Sequence, residues 1–173
     1  MEEFFRSIER QAFRIALFAC NNREDALDLV QDSMCSFISK YSRKAESEWK
    51  PLFYKILQNK IRDLHRKRSV RSYWQVWTGG TSDEDDTDPL ERLEDKKGLN
   101  PEQETQNMQA FEKLQDELKQ LSLKQQQVFL LRAWEGLSIK ETAVAMGCSE
   151  GAIKSHYSRA TERLKKKLGK YWP

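Results

Sequence analysis

Apolar residues recur at helical spacing along most of the chain. From Glu2 to Cys20, Phe4, Ile8, Ala12, Ile15 and Ala19 fall every three to four residues, the signature of one buried helix face. Asn22 suits the cap of a second helix, and Glu24 and Asp25 favour the positive end of its dipole. Ala26, Leu29, Val30, Phe37 and Ile38 are the expected inner stripe of that helix. The polar stretch Ser42 to Ser47 interrupts the pattern. It resumes near Trp49, with Pro51 expected in the first turn, and runs through Phe53, Ile56, Leu57, Ile61 and Leu64 into a basic end. Three such helices bury a modest common core.

Between Thr78 and about Asn100 the texture changes. Gly79 and Gly80 precede an acidic stretch, Thr81 to Pro89, that is almost free of apolar residues. Such a segment buries too little surface to offset its ordering entropy, so a flexible acidic linker is expected at 78–100. Beyond it, Asn100-Pro101-Glu102 reads as cap, first helical position and first-turn acid. Ser122 with Gln125 and Ser138 with Glu141 have capping-box spacing, and Ser149 is a further cap. Helices are therefore expected to begin near 101, 123, 139 and 150. The predicted fold class is all-α: two small helical domains, 1–77 and 101–173, joined by the linker.

Charge sharpens this division. Residues 1–80 hold 15 Lys and Arg against 10 Asp and Glu, residues 81–121 hold 5 against 13, and residues 122–173 hold 10 against 4. Two basic ends around an acidic middle suggest two contacts with a polyanion, because clustered cations gain affinity by releasing counterions from phosphates. Cys20, Cys35 and Cys148 are widely spaced and form no C-x-x-C pair, and His65 and His156 are the only histidines. Thiols in a reducing compartment are the expectation, with no metal, no cofactor and no catalytic constellation. The acidic start Met1-Glu2-Glu3 is unlike the basic start of a signal peptide, and no run approaches the roughly 20 apolar residues of a membrane span. A cytoplasmic protein without membrane insertion is expected.

The segment from Leu137 to Ala160 has helix-turn-helix grammar. A short helix is expected to present Ile139, Ala143 and Met146 inward, and Gly147 permits the left-handed turn that ends it. A second helix turns Ile153, Tyr157, Ala160 and Leu164 inward. That leaves Lys154, Ser155, Ser158 and Arg159 outside, with His156 at the margin, a face able to reach base edges and phosphates in a major groove. Arg163, Lys165, Lys166, Lys167 and Lys170 continue its basic character.

With its context, this motif resembles region 4 of the extracytoplasmic-function sigma factors of the sigma-70 family, over Leu121 to Leu168. The resemblance implies a domain that grips the β flap of core RNA polymerase. It also implies that Lys154, Ser155, His156, Ser158 and Arg159 contact the −35 element. Leu130 and Leu131 are core or flap-facing, with core favoured. Independently, Asp25 to Asp32 resembles region 2.2, which implies docking on the polymerase β′ coiled coil through Asp28, Gln31 and Asp32. Trp49 to Arg68 resembles regions 2.3 and 2.4. There the family traps an unstacked −10 base, which implies a loop at 42–48 and a polar surface of Asn59, Lys60, Arg62, Asp63, Arg66, Lys67 and Arg68. Trp49 is core or strand-facing, and Trp74 and Trp77 are expected to pack on the preceding helices. Leu27 and His156 depart from the family pattern, where charged or polar residues and arginine are usual.

The function implied is promoter-directed transcription initiation, with core RNA polymerase, promoter DNA and an anti-sigma factor as partners, and no enzymatic activity of the chain's own. Two alternatives stand beside it. A stand-alone helix-turn-helix regulator explains 122–173 but leaves Asp25 to Asp32 and the second basic helix without a role, and it predicts a dimer on paired half-sites. A nucleic-acid enzyme needs a nucleophile or a carboxylate cluster in a folded pocket, and the carboxylates crowd instead into the linker.

Overall fold

A computed structural model describes residues 1–78 and 111–169, with side chains described as far as Ser69 in the first stretch. Among these residues all regular structure is helical. The helices are α1 (Glu2–Cys20), α2 (Arg23–Tyr41), α3 (Glu46–Thr78), α4 (111–119), α5 (Leu123–Ala133), α6 (Ile139–Met146) and α7 (Glu150–Leu168). The expected linker from 79 onward, the helix start at 101 and the side chains of Trp74 and Trp77 lie outside the described residues. The chain divides into two compact units. One holds α1, α2 and α3; the other holds α4, α5, α7 and residues 139–143 of α6.

In the first unit the chain reverses at Asn21, in the left-handed conformation (φ 51°, ψ 32°), whose N–H donates to the Leu17 carbonyl at 2.8 Å. The next residue, Asn22, caps α2 by accepting from the Asp25 N–H at 3.0 Å. Each of α1, α2 and α3 packs on the other two. Ile15, Leu17, Phe37, Phe53, Tyr54, Leu57 and Ile61 are fully enclosed. Phe37 sits amid Phe4, Phe5, Tyr41, Trp49 and Phe53, with ring centroids 5.7 to 6.3 Å away. Trp49 belongs to this cluster, half-buried, and its indole N–H donates to the Lys44 carbonyl at 2.8 Å.

Two expectations are corrected here. Helix α3 begins at Glu46, so Pro51 lies in its second turn and the loop shrinks to 42–45. The acids Glu46 and Glu48 open the helix, and the missing N–H of Pro51 forfeits one bond near its start without ending it. Ile38 is not inward but 48% exposed. Phe37 already points at the core, and the next residue is turned about 100° away on a 3.6-residue helix.

The second unit is anchored by α5 against α7. Leu118, Val128, Leu130, Leu131, Leu137, Ile153, Ala160 and Leu164 are enclosed, which places Leu130 and Leu131 in the core. Ser122 caps α5 through the Gln125 N–H, and Ser149 caps α7 through the Ala152 N–H at 3.2 Å. At α6 the capping box is reciprocal: Ser138 N–H donates to Glu141 Oε2 at 2.7 Å and Glu141 N–H to Ser138 Oγ at 3.2 Å. Its expected inward set shifts. Ile139, Ala143 and Met146 are half-buried, whereas Thr142 and Ala145 are buried. Burial of the polar Thr142 is tolerated because its hydroxyl donates to the Ser138 carbonyl at 2.8 Å. Gly147 (φ 64°) supplies the turn into α7.

Candidate nucleic-acid interfaces

The helix-turn-helix presents a mixed polar face. On α7 the buried line Ile153, Ala160, Leu164 and Leu168 faces inward, and Tyr157 stacks on Phe129 with centroids 6.1 Å apart. The Arg132 guanidinium covers the Tyr157 ring at 5.5 Å and donates to the Leu137 carbonyl, tying the start of the motif to α5. Lys154, Ser155, Ser158 and Arg159 are exposed on the other side. His156 is half-buried, with Nδ1 turned away from solvent and without a hydrogen-bond partner, so it sits at the edge of that face. Further along, Arg159, Glu162, Arg163, Lys166 and Lys167 line an open depression of about 460 Å³.

On α3 the seven residues singled out from the sequence do not share one face. Asn59, Arg62, Asp63 and Arg66 follow one exposed line, with Lys67 exposed beside it. Arg62 donates to the Asn59 side chain, and Arg66 pairs with Asp63 at 3.2 Å. Lys60 is held against α2, its Nζ 3.3 Å from Asp32 Oδ2. Arg68 points to the opposite side. Its guanidinium donates to the Cys20 carbonyl at 2.6 Å and pairs with Asp25. His65 Nε2 likewise donates to the Ala19 carbonyl at 2.6 Å. These two contacts satisfy carbonyls at the end of α1, a helix with no basic residue in its own last turn. Arg68 is therefore a clamp between helices, a role its place in a basic run concealed.

On α2, Asp28, Gln31 and Asp32 are all exposed, as expected. Beside them runs a line the sequence reading did not single out as a face: Leu27 and Ile38, 42% and 48% exposed, with half-buried Met34 between. Leu27 and Ile38 are eleven residues apart, close to three full turns, which is the signal that joins them. Among the described residues no group of His, Cys, Asp and Glu is placed to hold a metal ion, and no helix is long and apolar enough to cross a membrane.

Both units match known families. Residues 4–71 match the model of sigma-70 region 2 and residues 111–164 that of sigma-70 region 4. The RNA polymerase sigma-E factor of Streptomyces avermitilis is 31% identical over 170 residues, covering 96% of this chain and 84% of that protein. The RNA polymerase sigma factor NccH of Alcaligenes xylosoxydans xylosoxydans is 31% identical over 144 residues, covering 81% and 71%. The ECF RNA polymerase sigma factor SigM of Mycobacterium tuberculosis is 28% identical over 173 residues, covering 97% and 76%. In fold, the chain resembles the sigma factor RpoE solved in complex with the anti-sigma factor NepR from Bartonella quintana, with a TM-score of 0.69 and 24% identity across 97% of this chain and 98% of that one. The chain belongs to the sigma-70 family, among the extracytoplasmic-function sigma factors of RNA polymerase. Its function is that of a transcription initiation factor with a DNA-binding helix-turn-helix.

Proposed function

We propose that this sigma factor works by binding alone, docking on core polymerase through α2 and contacting promoter DNA through α3 and α7. The observation that carries the reading is the combination, in one chain, of two exposed polar faces backed by closed cores. Lys154, Ser155, Ser158 and Arg159 stand on α7, and Asn59, Arg62, Arg66 and Lys67 on α3. The α7 face suits base edges and phosphates of a major groove at the −35 element, with His156 at its margin. The α3 face, with the short loop 42–45 before it, suits an unstacked non-template strand at −10, where cations hold the backbone. Arg68 is left out of that set because its guanidinium is engaged within the unit.

Core polymerase would meet Asp28, Gln31 and Asp32, flanked by Leu27 and Ile38, on the β′ coiled coil, and the β flap would meet the second unit. A segment at 78–100 joining domains 1–77 and 101–173 completes the reading, with the cytoplasm as its place of work. An anti-sigma factor is the expected regulator, competing for the same faces. Co-elution with purified core polymerase tests the docking surface. Simultaneous Asp28→Ala, Gln31→Ala and Asp32→Ala should weaken co-elution at least tenfold while helix content is retained. Unchanged co-elution would remove α2 from the interface.

A further inference from the structure

We propose that Trp49 is a positioning residue for strand capture: its indole N–H latches the 42–45 loop in the shape that admits an unstacked −10 base. The inference rests on the proposed role of α3 and that loop. Ser42, Arg43, Lys44 and Ala45 are all exposed, so no buried side chain of its own anchors the loop. Two bonds to the Lys44 main chain hold it instead. The Lys44 N–H donates to the Tyr41 carbonyl at 3.0 Å, closing the turn at the end of α2. The Lys44 carbonyl accepts from the Trp49 indole at 2.8 Å, near the start of α3. Both main-chain polar groups of one residue are thereby fixed, one from each flanking helix. The side-chain pair of Lys44 with Glu48 spans 3.9 Å between two largely exposed groups, so it adds little.

The latch is firm because its base is. Trp49 is half-buried, its ring edge-on to Phe4 at 5.5 Å and to Phe37 at 6.2 Å. Phe37 is fully enclosed, so the indole cannot swing away without disturbing the core. Packing alone does not call for an indole, because a phenyl ring also supplies apolar area. What the indole adds is a donor at the rim of the core, and that donor is aimed at the loop. A loop held in advance loses less freedom when a base enters it, which strengthens capture. It also sharpens selection, because a misfitting base is not accommodated by movement of the loop. Trp49 acts through the Lys44 main chain and need not touch DNA itself.

The test uses holoenzyme assembled from the full chain and core polymerase, on a promoter that its own run-off transcripts define. Fluorescent non-template single strands across −10, native and with each base replaced in turn, are titrated by anisotropy. Trp49→Phe keeps a ring in the cluster and deletes the donor. It should weaken binding of the native strand about threefold to tenfold, the range of one lost hydrogen bond, and of the replaced strands clearly less. Putting a benzothiophene side chain at position 49 matches the indole in shape but lacks the N–H. It should reproduce that loss of selection, and it serves in place of Trp49→Phe if that variant folds poorly. The salt dependence of strand binding and the affinity for duplex −35 DNA should not move, since no cation is lost. Selection that survives the benzothiophene intact, whatever happens to Tm, would overturn the latch and leave Trp49 as core packing. A wild-type holoenzyme with no preference for its native strand would instead overturn the −10 reading on which the latch rests.

Discussion

Replacing Arg68 with glutamine separates a clamp from a nucleic-acid contact. The guanidinium makes two interactions: a charge-assisted bond to the Cys20 carbonyl at 2.6 Å and an ion pair with Asp25. Hydrogen bonds to charged groups contribute roughly 1.5–3 kcal/mol when shielded, and exposed pairs roughly 0.2–1. The two side chains are 43% and 35% exposed, so both figures are discounted for solvent screening, leaving about 1–2 kcal/mol together. For a domain of this size that corresponds to a fall in Tm of about 4–15 °C, read by calorimetry on the transition of the first unit. Affinity for single-stranded DNA, measured well below that transition, should change less than twofold. In contrast, Lys67→Gln should leave Tm unchanged and flatten the dependence of log affinity on log salt by about 0.7. An Arg68→Gln protein with unaltered Tm but strand affinity lowered as far as by Lys67→Gln would refute the clamp.

Three further outcomes are expected. Gly147→Ala places a side chain at φ 64° and should cost the protein about 1–2 kcal/mol, read by urea denaturation, with Gly147→Asn milder. Arg159→Ala should reduce discrimination among −35 sequences by about 1–3 kcal/mol in competition binding, if its guanidinium reads a base edge as proposed. Burial pushes the Cys20 thiol above its ordinary value of 9.0. Because the folded value is raised, the stability it contributes is complete below about 9 and lost as pH climbs through the folded value. Native alkylation should accordingly label exposed Cys35 and Cys148 and spare Cys20 until the unit unfolds, as mass spectrometry would report.

What was legible in the sequence was mostly local. Caps at Asn22, Ser122, Ser138 and Ser149 depend on residues at most three positions away, and each is formed. The division into an inner and an outer face of α7 follows from periodicity alone, and the second unit bears it out. Pro51 misled because proline is commonest in a first turn, whereas here the acids Glu46 and Glu48 extend the helix upstream of it. Ile38 misled because hydrophobicity does not fix direction once Phe37 has claimed the core. The contacts that most alter the functional reading join residues far apart in sequence: Arg68 with Cys20 and Asp25, and Lys60 with Asp32. No periodicity reports those; they exist only once α1, α2 and α3 pack. A basic run such as Arg66-Lys67-Arg68 therefore reads as one patch in sequence, whereas in three dimensions Arg66 and Lys67 are exposed on one side and Arg68 turns back onto α1 and α2.

The most direct test of the account is run-off transcription on fragmented genomic DNA from the protein's own source, using purified core RNA polymerase with and without the chain. Discrete transcripts that require the protein, and that are lost on combined Asp28→Ala, Gln31→Ala and Asp32→Ala substitution, are the predicted result. Absence of any protein-dependent transcript, together with failure to co-elute with core polymerase, would contradict it.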